Sequence, residues 1–118
     1  MKIKRTDEIP RELVTAGANT YHQILIGPDE GPNFIMRRFI IESGGGLPCH
    51  TNTVEHEQYV LNGRARIGIG DEIFEVEKGN VLYIPAGVPH WYEAKGEEPF
   101  EFLCMIPNKP DKIILIEK

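Results

Sequence analysis

The turns of this chain constrain its fold more than any other feature. Clusters of Gly, Pro, Asn and Asp recur every eight to twelve residues, and the runs between them are short and rich in β-branched and aromatic side chains. No stretch carries the apolar spacing of a convincing amphipathic helix. Eight to ten short antiparallel strands follow, arranged as an all-β sandwich or barrel.

In chain order, residues 1–19 are weakly patterned and form an N-terminal strap, with Ile9–Leu13 either one helical turn or part of the strap. Strands are expected at Tyr21–Ile26, Asn33–Glu42, His56–Leu61, Arg64–Gly70, Ile73–Glu77, Val81–Ile84, His90–Ala94, Phe100–Ile106 and Ile113–Ile116. Ser43–Gly46 breaks the chain, because three glycines permit positive φ and close backbone approach. Asn62-Gly63 is the preferred pair for a type I′ hairpin, after which Arg64–Gly70 returns as a strand. Pro85–Pro89 is a tight loop that no central strand would contain. The chain, 1–118, is long enough for a single domain with one core.

The net charge of −5 argues against a nucleic-acid backbone or an anionic membrane as partner, since both need a basic face. A local basic spot for a small anionic ligand remains compatible with it. The N-terminus lacks the apolar run of a signal peptide, and nothing approaches the length of a membrane span. Cys49 and Cys104 make no disulfide framework, so a cytoplasmic protein with reduced thiols is expected.

The chemistry concentrates in two stretches. Cys49–Gly63 holds His50 and His56, and Gly79–His90 ends on His90 behind the Pro-Ala-Gly-Val-Pro loop. Rigid Gly- and Pro-bounded segments suit fixed ligand geometry, and neutral imidazole suits Zn, Cu, Fe, Ni and, less avidly, Mn. Three histidines in a β-rich chain are by themselves a weak pointer, since most histidines are surface or satisfied residues.

The two stretches resemble the two cupin motifs. The first (45–63) runs G-G-L-P-C-His50-T-Asn52-T-V-E-His56-E-Q-Y-V-L-N-Gly63, and the second (79–94) places Gly79, Pro85, Gly87 and His90 at the family's spacing. V-E-H-E-Q-Y-V-L-N-G and F-L-C-M-I-P are similar to segments of small single-domain cupin 2 (conserved barrel) proteins. The resemblance implies a double-stranded β-helix, the cupin jelly-roll barrel. It also implies a divalent transition metal, often manganese, in a four-histidine site. His50, His56 and His90 match ligand positions. Asn52 stands where the motif has its second histidine; it coordinates through its oxygen, holds a metal-bound water, or has cost the site its metal. Three histidines alone still make a metal site with open positions. Val54 replaces the usual tryptophan and should reshape the pocket mouth, and Ala94 replaces an asparagine as a structural change. Glu55 and Glu57 flank His56 and should point away from it.

Tyr92 shares strand parity with His90, and Cys104 lies on a strand that relatives place inside the barrel; both are candidate catalytic side chains. Cys49 and Trp91 should face away, Trp91 into a dimer interface, and His22 belongs to no motif and is assigned to the surface. One of the neighbours Arg37 and Arg38 should face inward, to bind a carboxylate substrate or to pair with a glutamate. The expected function is a metal-dependent enzyme of dioxygenase or isomerase/lyase type acting on a small molecule. The alternatives are a non-catalytic ligand-binding or sensor cupin and a structural barrel with a vestigial site. A homodimer is expected, with Ile113–Ile116 as a candidate apolar edge.

Overall fold

The computed structural model describes residues 3–116. After a 3₁₀ turn at Thr6–Glu8 come ten strands: β1 (Glu12–Leu13), β2 (Ala18–Ile26), β3 (Phe34–Asn52), β4 (His56–Asn62), β5 (Arg64–Ile69), β6 (Glu72–Glu77), β7 (Val81–Ile84), β8 (His90–Lys95), β9 (Phe100–Pro107) and β10 (Ile113–Leu115). The pairings are antiparallel, and the sheet runs β6-β5-β8-β3-β9-β4-β7. It curls into the jelly-roll barrel that the motifs imply. Among the described residues no helix is long and apolar enough to cross a membrane.

Strand β3 holds the two halves together. Its first part pairs with β9 and β2, and its second part pairs with β8 and β10. The glycine triplet lies at the changeover and does not break the chain. Gly44 takes φ +82°, and a Cβ on Gly45 or Gly46 would collide with the carbonyl oxygen of Ala18 or Tyr92. Glycine here bends one 19-residue strand from one half of the barrel into the other.

Asn62-Gly63 is likewise not a hairpin turn. Only Gly63 has positive φ (+76°), whereas a type I′ turn needs it at both positions. Strand β4 pairs with β7 and β9, and β5 with β6 and β8, so the chain crosses between halves at this point. A Cβ on Gly63 would meet the Pro99 carbonyl, and the Asn62 side chain donates to that same oxygen at 3.0 Å. At the N-terminus, Ile9–Leu13 forms no helical turn. Glu12 and Leu13 pair with β2, and the buried Gln23 holds the strap by donating to Thr6 and Ile9 carbonyls at 2.8 Å each.

The registers stack the interior in layers. At one end Ile41 pairs with Phe100, and Ala65 with Ala94 and Val76. In the middle Phe39 pairs with Phe102, itself opposite Val60, and Leu47 pairs with Tyr92, itself opposite Ile67. At the other end Arg37, Cys104 and Gln58 form one row across β3, β9 and β4, while His50 pairs with His90. This last layer is polar although buried.

Candidate functional site

Three elements deliver the histidines. His50 lies on β3 directly opposite His90 at the start of β8, with ring centroids 4.2 Å apart. His56 opens β4 on the facing half, its ring 5.7 Å from that of His90. Each ring uses Nδ1 locally: His50 with the Pro48 carbonyl at 2.8 Å, His90 with the Val88 carbonyl at 3.0 Å, His56 with Cys104 Sγ at 3.3 Å. A carbonyl only accepts, so His50 and His90 carry their proton on Nδ1 and present Nε2 as a lone pair. The Nε2 atoms of His56 and His90 are buried without a partner. Burial lowers the pKa of His56 to about 3, helped by the nearby Arg37 charge, and that of His90 to about 4. Both rings are therefore neutral at pH 7, the form that binds metals.

Asn52 ends β3 beside them. Its Nδ2 donates to Asp111 Oδ2 at 2.8 Å, and Asp111 is held in turn by the Thr53 amide (2.9 Å) and hydroxyl (3.2 Å). An ionised carboxylate can only accept, so the amide nitrogen must face Asp111. The amide oxygen is thereby turned away, and Oδ1 is buried without a partner. Among the described residues no group of three or more His, Cys, Asp or Glu side chains meets the geometry of a finished metal cage. The donors nonetheless fit a divalent transition metal: two imidazole nitrogens and one amide oxygen, each orphaned and buried, with His50 beside them.

These side chains border a cavity of about 160 Å³. An apolar cavity of about 150 Å³ holds a benzene molecule. Its wall is a stack of rings, with Phe39 on Phe102 at 5.1 Å and Phe102 on Tyr92 at 5.2 Å, nearly parallel. Ile113 and Leu115 of β10, both exposed, stand at its mouth. Tyr92 faces inward as its parity requires. Its hydroxyl meets the Gln58 amide, at 2.8 Å from Nε2 and 3.1 Å from Oε1, and burial raises its pKa far above the ordinary value.

Several expectations need correction. Cys104 is fully buried but does not border the cavity: His56 Nδ1, Arg37 Nη2 and Gln58 Nε2 converge on its sulfur at 3.3, 3.3 and 3.5 Å and screen it. It sits against His56, behind a candidate ligand and outside the cavity lining. His22 is half-buried: its Nε2 stands 3.5 Å from the exposed Glu12, yet its ring also reaches the interior. It lines the cavity 5.6 Å from the Phe39 ring, because β2 covers the open edge of β3. Val54 packs into the core and does not shape the mouth. Of the two arginines, Arg37 faces the cavity, as one of the pair was expected to, and Arg38 pairs with Glu101.

Other residues lie where parity puts them. Glu55 and Glu57 are exposed, and Ala94 is core. Trp91 lies over Gly68, where a Cβ would collide with the indole. Cys49 borders a separate surface cleft with Trp91, and both cysteines are free. Sequence reasoning missed Gln58 and Asp111. Gln58 shares parity with His56 and was within reach of that rule. Asp111, 59 residues from Asn52, left no local signal.

The cupin 2 family, described as a cupin domain, matches residues 37–106. The polyketide cyclase RemF from Streptomyces resistomycificus superposes with a TM-score of 0.87 at 28% identity, covering 100% of this chain and 88% of its own. An uncharacterised protein of Methanocaldococcus jannaschii is 42% identical over 66 residues, which is 55% of this chain and 53% of that protein. Acireductone dioxygenase from Synechococcus is 29% identical over 96 residues, 78% of this chain and 48% of the enzyme. The chain spans about half the length of these two curated relatives. With a barrel of this topology and both histidine-bearing stretches inside the matched span, the chain belongs to the cupin 2 family.

Proposed function

We propose that this chain is a metal-dependent cupin enzyme that acts on a small molecule in the barrel cavity. One observation carries the reading. His56 Nε2, His90 Nε2 and Asn52 Oδ1 are buried, have no partner, and belong to residues that line one cavity. Buried polar atoms of native proteins are nearly always paired, so orphans gathered at one place call for a ligand. His50, His56, His90 and the Asn52 oxygen would hold a divalent transition metal. Such an ion supplies Lewis-acid polarisation of a bound substrate and open positions for small ligands.

The chain's own residues have separate tasks. Val88 and Pro48 carbonyls fix the tautomers of His90 and His50, and Cys104 Sγ orients His56. Asp111 keeps the Asn52 oxygen turned inward. Tyr92 stays protonated, so beside the histidines it is a neutral phenol held by the Gln58 amide and acts neither as a base nor as a ready proton donor. The aromatic stack excludes water from the apolar part of the substrate. Similarity to a polyketide cyclase and to acireductone dioxygenase supports an enzyme, of dioxygenase or isomerase/lyase type. A homodimer that covers the exposed β10 belongs to the same reading, and sedimentation that stays monomeric over a concentration series removes it.

The test is elemental analysis by mass spectrometry on untagged protein, with His56→Ala alongside. Near-stoichiometric manganese, iron, nickel, copper or zinc, lost in the variant, is expected. No metal after growth in supplemented medium and after reconstitution would leave a barrel that binds a small molecule without metal chemistry.

A further inference from the structure

The cavity contains a cation that no described acidic residue neutralises. Arg37 points inward in the row Arg37–Cys104–Gln58, yet its only hydrogen bond among the described residues is from Nη2 to the thiol sulfur, a weak acceptor. Its guanidinium carbon stands 5.0 Å over the Phe39 ring, and its Nε is buried without a partner. Among the described residues no aspartate or glutamate lines the cavity. The next residue shows what a satisfied arginine looks like in the same strand. Arg38 meets the Glu101 carboxylate and donates to Gln23 Oε1 at 2.8 Å. A guanidinium offers five N–H donors in a planar fork that matches a carboxylate, and an uncompensated charge in an apolar enclosure is costly. Arg37 is therefore missing an anion, and the space beside it is open.

The surroundings say which anion. The stacked rings Phe39, Phe102 and Tyr92 lead from Arg37 toward His90, whose ring lies 5.9 Å from that of Tyr92. On the other side, Arg37 and His56 are separated by a single thiol, each 3.3 Å from Cys104 Sγ. A molecule with an acid group at Arg37 and a flat or apolar body on the rings brings its remaining atoms to the histidines. We infer that the cavity binds a small organic carboxylate, of about benzoate's size or less, with its acid group on Arg37. This rests on the cavity being the ligand site and names the class of substrate that site takes.

The experiment uses the full chain stripped of metal, so that carboxylate–metal contacts contribute nothing. Benzoate, acetate and their uncharged amides are titrated calorimetrically, and the Arg37 Nε–H resonance is followed in ¹⁵N-labelled protein. The expected result is at least tenfold tighter binding of a carboxylate than of its amide, with a shift of the Nε–H signal. Arg37→Gln is expected to remove the preference, and Arg37→Lys, which keeps the charge but loses the fork, to retain part of it. Equal affinity for acid and amide, or an unmoved Nε–H signal with both acids, overturns the inference. The resonance is read in the unaltered protein, so a misfolded variant does not blur the answer. Metal analysis separates this from the enzyme reading: carboxylate binding without metal sinks only the metal, and metal without carboxylate binding sinks only this inference.

Discussion

The two ends of the barrel interior are built to opposite rules. At the apolar end Ile41, Ala65 and Phe100 are at most 1% exposed. The one buried hydroxyl there, Thr20, is satisfied by the carbonyls of Ala18 and Gly46. At the histidine end, Arg37, Asn52, His56 and His90 each keep a buried polar atom without a partner, and the described residues contain no other such side-chain atom. Unpaired buried polar groups cost about 1–3 kcal/mol each. The packed end therefore stabilises a site that weakens the fold until a ligand fills it.

The sharpest way to break that comparison is at the boundary. Phe102→Ala empties the centre of the ring stack and is expected to cost about 3–5 kcal/mol, measured as a loss of urea midpoint. A loss under about 1 kcal/mol would mean that the stack belongs to a loose cavity wall and not to the core.

Between pH 7 and 5 acid should act mainly on the histidine end. Unfolded, the imidazoles of His56 and His90 titrate near 6.5, and folded near 3 and 4. Between pH 6.5 and 4 the unfolded chain binds more protons, so stability rises with pH and falls on acidification. The slope is about 1.4 kcal/mol per pH unit for each ring. Urea titrations of metal-free protein at pH 7 and pH 5 check this, and a flat profile would show the rings to be hydrated.

Asp111→Ala should separate site geometry from stability. It frees the Asn52 amide to turn, so metal affinity is expected to fall about 10–100-fold while stability changes by less than about 1 kcal/mol. Competition against a chromogenic chelator measures the first and thermal denaturation the second.

The smallest effect is the most diagnostic. In ligand-free protein, Arg37→Gln should leave stability unchanged or raise it by up to about 1 kcal/mol, because it removes a costly charge with no ionic partner among the described residues. Arg38→Gln should cost about 1 kcal/mol, since it strands Glu101 in a half-buried pair. Paired denaturation curves decide it, and a loss at Arg37 would show that Cys104 and Phe39 satisfy its charge.

Most strand positions were legible from local pattern. Alternation on Arg64–Ile69 and the apolar run at Phe100–Pro107 are properties of a few neighbouring residues, and the observed strands begin and end within three residues of expectation at most sites. The errors have one source. The glycine triplet and Asn62-Gly63 are locally correct turn signals, but whether a glycine ends a strand, folds a hairpin or carries the chain between sheets depends on which strand lies alongside. That strand is distant in sequence.

The sequence by itself therefore determined the class of fold and the face of many strand side chains, because alternation is short-range, and its resemblance to the cupin motifs singled out the three histidines that line the cavity. The tertiary structure decided the rest. It placed Asp111 against Asn52 across 59 residues, put Cys104 behind His56 instead of in the cavity, brought His22 to the lining, and gave Arg38 a carboxylate that Arg37 lacks. Each of these depends on which side chain stands across a gap between strands, and that is fixed only when the barrel closes.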